Sequence, residues 1–118
     1  MAEYVDGFVL PIQKDRLDAY KELAAGSATI WKSHGALEYR ENVLDVAELP
    51  GTGSFKSLDV ADDEVVIFGW VVFSSRTSRD EVHARVSTDP QMLELMSTID
   101  AGFDGERMLF GGFEPIVS

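Results

Sequence analysis

The sequence contains no cysteine. That excludes a disulfide framework, thiolate catalysis, iron–sulfur clusters and zinc sites built on thiolates, and it fits a reducing cytosol. Long apolar runs are missing as well. The longest, Val65 to Phe73, is far too short to cross a bilayer. No basic segment followed by an apolar stretch opens the chain, so no signal peptide is expected and a cytoplasmic location is the default. Basic residues are scarce: 10 Lys and Arg stand against 21 Asp and Glu, a formal net charge of −11. Nucleic acids and anionic membrane surfaces are both bound largely through cations, so neither is an expected partner. Histidine occurs only twice, at 34 and 83.

What is present reads as one domain over residues 1–118, with 45% apolar residues and therefore material for a core. Tyr4 to Leu10, rich in aromatic and β-branched residues and closed by Pro11, predicts a strand. Asp15 reads as a helix N-cap, and Leu17, Tyr20, Ala24 and Trp31 form an apolar stripe at helical spacing that Gly35 ends. A second strand is expected from Ala36 to Val46, then a long excursion over 47–63 with a short extended piece at Phe55 to Leu58. The third strand, Glu64 to Ser74, is the strongest signal in the chain. Ser78 with Glu81 predicts a capping box for a second helix, which Asp89-Pro90 breaks and restarts. Arg107 to Val117 is the last strand, where Gly111-Gly112 predicts a bulge or a close backbone approach. The order is β-α-β-β-α-β, a ferredoxin-like α+β arrangement with both helical units on one face of a four-stranded sheet.

That arrangement leaves the other sheet face uncovered, yet the third strand is apolar on both sides. Val65, Ile67, Val71 and Phe73 alternate with Val66, Phe68, Trp70 and Val72. Leaving four such side chains in water forgoes about 6–12 kcal/mol. The economical cover is the same face of a second copy, giving a homodimer. The competing cover is the 47–63 excursion or the C-terminus.

Few residues suggest chemistry. His34, at the end of the first helical stripe, is either an acid–base group at a cleft mouth or a helix-terminal histidine meeting the last carbonyls. His83 reads as solvated or at an interface. Asp6 is out of place inside a strand; it either pairs structurally with an arginine such as Arg107 or anchors polar atoms in a pocket. There is no His-x-His or His-Glu-x-x-His pattern, so no metal site is expected. Gly51-Thr52-Gly53-Ser54 lacks the ending of a phosphate loop, and no nucleotide cofactor is expected.

Several runs resemble the YbaA-like family of small bacterial domains of unknown function. They are Tyr4-Val5-Asp6-Gly7-Phe8-Val9-Leu10-Pro11, Lys32-Ser33-His34-Gly35-Ala36-Leu37, Arg79-Asp80, Asp89-Pro90 and the terminal run Phe103 to Glu114. The Cys-Trp and paired Asp usual after the second strand stand here as Asn42-Val43 and Leu44-Asp45. The resemblance implies a dimeric α/β barrel, two ferredoxin-like sheets face to face, in a superfamily that includes cofactor-independent oxygenases and ligand-sensing domains. It implies no activity.

The expectation is thus a homodimer with a small apolar pocket between sheet and helices in each subunit, taking a small hydrophobic molecule without a cofactor. Phe8, Trp31, Phe68 or Trp70, and Phe110 would line it. His34 would be the acid–base group, with Asp6 or Arg107 orienting polar atoms. The alternative is a non-catalytic ligand-binding or accessory domain in which these polar residues only satisfy one another.

Overall fold

Four strands form the sheet, β1 (Tyr4–Gln13) and β3 (Glu64–Phe73) rich in β-branched and aromatic residues, β2 (Glu38–Val43) and β4 (Leu109–Phe113) shorter and less so. The structure is a computed structural model and describes residues 2–55 and 58–118. The strands build one sheet in the order β2-β3-β1-β4, with every neighbouring pair antiparallel. Helices α1 (Leu17–Ser33), α2 (Arg76–Ser87) and α3 (Pro90–Thr98) complete the ferredoxin-like fold.

The helix ends show which local signals act. Asp15 is not a cap: it sits in a 3₁₀ turn, Lys14–Arg16, that precedes α1, and Arg16 at the N-cap makes no side-chain bond there. α1 ends as expected at Gly35, whose φ of 122° places it where a Cβ is disfavoured. The Ala36 N–H donates to the Trp31 carbonyl and the Gly35 N–H to that of Lys32, a paired closure of the last turn. α2 starts one turn earlier than the Ser78–Glu81 box predicts, because Ser75 accepts from the Ser78 N–H and takes the capping role. Asp89 caps α3 by accepting from the Gln91 N–H, with Pro90 in the first turn.

The strand register sorts side chains by face. Leu10, Ile12, Ile67, Val71 and Phe73 point inward and pack with Tyr20, Leu23, Ile30, Val82 and Val86 of the helices. The outer face carries Val5, Val9, Phe68, Trp70, Leu109 and Phe113. No bulge interrupts β4, whose pairing with β1 runs unbroken from Val5–Phe113 to Val9–Leu109. Its glycines serve close approach instead. The Phe113 ring lies against Gly7 and Gly111, and Tyr4 lies so close to Gly112 that a Cβ there would stand 2.5 Å from the phenol oxygen.

The 47–63 excursion forms no strand among its described residues; the extended piece expected at Phe55 to Leu58 falls partly on residues 56 and 57, outside them. Leu58 and Val60 share a cleft with Val66, Pro11 and Val9, so the excursion covers one end of the outer face, and Val66 is buried. Phe68 remains 44% exposed. Among the described residues no helix is long and apolar enough to cross a membrane.

Candidate functional site

The inner face is not filled throughout. Opposite the middle of the sheet α1 presents Ala24 and Ser27, side chains too small to reach it, and a hollow of about 280 Å³ remains. Gly69 leaves room for the Phe8 ring over β3; a Cβ at that position would come within 2.4 Å of the ring. Aromatic and thioether groups form most of the wall: Phe8, Tyr20, Trp31, Tyr39, Phe103, Phe110, Met92, Met96 and Met108. Phe103, Met96 and Phe110 are exposed and mark its mouth beside β4.

Two polar clusters break this apolar wall. In the first, Asp6 of β1 is 1% exposed. Its Oδ1 accepts from Arg79 Nε at 3.0 Å and its Oδ2 from His83 Nε2 at 2.5 Å. Because a carboxylate only accepts, the His83 Nε2–H is the donor of this bond, which leaves Nδ1 outside it. Trp31 meets the imidazole edge-on at a centroid distance of 4.9 Å, with Phe73 and Phe110 nearby at 5.9 and 6.4 Å. Arg79 also bonds Asp80 and lies over the rings of Tyr4 and Phe110. In the second cluster, Glu41 of β2 accepts from the hydroxyls of Tyr20 and Tyr39. Burial, and then the Glu41 charge, push both phenols well above the ordinary tyrosine range, so both remain donors.

The predicted site residues divide. Asp6, Phe8, Trp31 and Phe110 line the hollow. Phe68 and Trp70 do not; strand alternation puts them on the outer face, with ring centroids 5.5 Å apart and Arg40 over Trp70. His34 does not line it either. At the end of α1 its Nε2 donates to Asp89 Oδ2 at 2.5 Å, joining α1 to the cap of α3 and holding the Asp89 carboxyl below the usual range. Arg107 is also elsewhere. It forks onto Glu64 at 2.6 and 2.9 Å and donates to the Asp59 carbonyl, so the arginine that meets Asp6 is Arg79. His83, read from sequence as solvated or at an interface, is the imidazole inside the hollow. Its signal was available: Arg79 and His83 are four residues apart, hence on one helix face, and a strand-borne Asp6 needs donors. Among the described residues no group of three or more His, Asp and Glu side chains converges for a metal.

Comparison with known proteins adds the following. A family model described as a protein of unknown function, DUF1428, matches residues 3–105. The uncharacterized protein YbaA of Escherichia coli K12 is 37% identical over 116 residues, covering 98% of this chain and 97% of that one. Among solved structures, a NIPSNAP family protein of unknown function from Agrobacterium tumefaciens superposes with a TM-score of 0.60 at 18% identity, over 97% of this chain and 88% of that one. SnoaB, a cofactor-independent oxygenase from Streptomyces nogalater, gives 0.58 at 13% identity, over 100% and 97%. A dimeric ferredoxin-like protein of unknown function from Jannaschia gives 0.57 at 12% identity, over 95% and 99%. At these identities the structural likeness establishes the fold alone.

Proposed function

For a chain that belongs to the DUF1428 family, we propose that the hollow between sheet and helices binds, and through His83 acts on, a small hydrophobic molecule without a nucleotide cofactor. The observation that carries this is the coincidence of an apolar cavity with a carboxylate-backed imidazole in its wall. Asp6 is the positioning residue: it fixes the imidazole tautomer and would stabilise an imidazolium formed by taking a proton at Nδ1. Arg79 balances the Asp6 charge, so gaining that proton does not leave a buried carboxylate alone. The test is a thermal-shift screen of small apolar compounds on wild type and on Ala24→Phe, which fills the hollow. Binders should raise the wild-type midpoint and leave the variant unmoved; equal shifts in both, or no binders, overturn the assignment.

The unit is proposed to be a homodimer closed through the outer faces of two sheets. The support is the exposure of Phe68, Leu109 and Phe113 on one face, together with the printed description of the Jannaschia neighbour as dimeric. Light scattering at micromolar concentration should give twice the chain mass of 13.0 kDa; the chain mass itself would refute the dimer.

A further inference from the structure

The two carboxylates of the hollow are matched differently. Asp6 faces a guanidinium and an imidazole. Glu41 faces two neutral phenols, and among the described residues no Lys, Arg or His pairs with it. Two cations stand near it without pairing: Arg40 lies on the opposite face over Trp70, and Lys21 of α1, which shares a neighbouring cleft with Glu41, is exposed and makes no ion pair with it among the described residues. Each oxygen of Glu41 accepts one phenol bond and retains room for another donor, and each phenol oxygen retains lone pairs. The two phenols satisfy Glu41 as an acceptor but leave its charge unmatched, and an organic cation set against an aromatic wall would supply that match.

We propose that the ligand of the hollow carries a protonated amine or a comparable organic cation, seated against Glu41 with its apolar remainder directed toward Trp31 and His83. This rests on the pocket assignment above and narrows it. The ammonium donates to Glu41 and to the phenol oxygens, while the faces of Phe8, Tyr20 and Tyr39 attract its charge through their quadrupoles. Glu41 and Asp6 stand on strands separated by β3, about 10 Å across the sheet, so a cation at one does not contact the Arg79 pair at the other. The net charge of −11 favours the approach of cations from solution.

Calorimetric titration with three probes of one shape tests this: phenethylammonium, phenethyl alcohol and phenylacetate, at neutral pH and low salt. The ammonium should bind at least about tenfold more tightly than the alcohol and lose affinity as salt rises, with the carboxylate weakest. Glu41→Gln should bring ammonium and alcohol to equal affinity and leave the alcohol where it was. Alcohol binding as tightly as ammonium in wild type overturns the cation assignment while leaving the pocket intact. No binding by any probe removes both. Should Glu41→Gln fail to fold, the wild-type ratio of ammonium to alcohol decides the question unaided.

Discussion

Phe68 and Phe73 belong to the same strand, yet one is 44% exposed and the other 0%. They face opposite sides of β3, and the contrast extends to the two faces of the sheet. The inner face is held by three helices, but because α1 brings Ala24 and Ser27 over its centre it keeps a hollow with two polar clusters. Among the described residues the outer face carries no helix; it presents apolar side chains, with Glu38, Arg40 and Asn42 along the β2 edge and a cleft under Leu58 and Val60 at one end. An enclosed face with polar groups is suited to a small molecule; an open, apolar one is suited to another protein surface.

The contrast predicts that inner-face changes act on folding and outer-face changes on association. The largest effect is expected from Phe73→Ala, about 3–5 kcal/mol of stability lost on truncating a fully buried ring, read by urea denaturation at the same protein concentration as wild type. Phe68→Asp should be milder for the fold. It should leave the circular dichroism spectrum unchanged and convert the scattering mass to that of one chain; a mass unaffected by this charge would break the two-face distinction. The smallest effect concerns the tie between the excursion and the sheet. Its fork onto Arg107 lowers the Glu64 carboxyl from 4.5 to about 2. A group depressed in the folded state stabilises above its unfolded value, so this contribution is complete above about pH 4.5 and disappears as pH falls through about 2. Arg107→Gln should therefore be less stable than wild type near neutrality and converge with it at the acid limit, as followed by thermal melts across that range.

Much of the fold was legible because it is written in local chemistry. The doubly apolar β3, the glycine at the end of α1 and the Asp89-Pro90 restart all act over a few residues, and the structure keeps them. Element ends were less legible where two residues compete for one role. Ser75 and Ser78 both carry a capping hydroxyl, and only the path out of β3 selects Ser75. The site was read in part. Asp6 was conspicuous as a charge in a strand, but its partners lie more than seventy residues away and pattern alone offered Arg107 as readily as Arg79. His34 drew attention by its place at a helix end, where it meets Asp89; the histidine facing the hollow is the one on α2.

By itself the sequence determined the strand and helix order, the net acidity, and the apolar character of both sides of β3, since periodicity and net charge do not depend on what lies across the molecule. Tertiary structure decided which face Phe68 and Trp70 occupy and which cations meet Asp6. It also decided that Glu41 meets none among the described residues, because those pairings depend on the register of β1 and β2 against β3 and on the side of the sheet to which α2 returns.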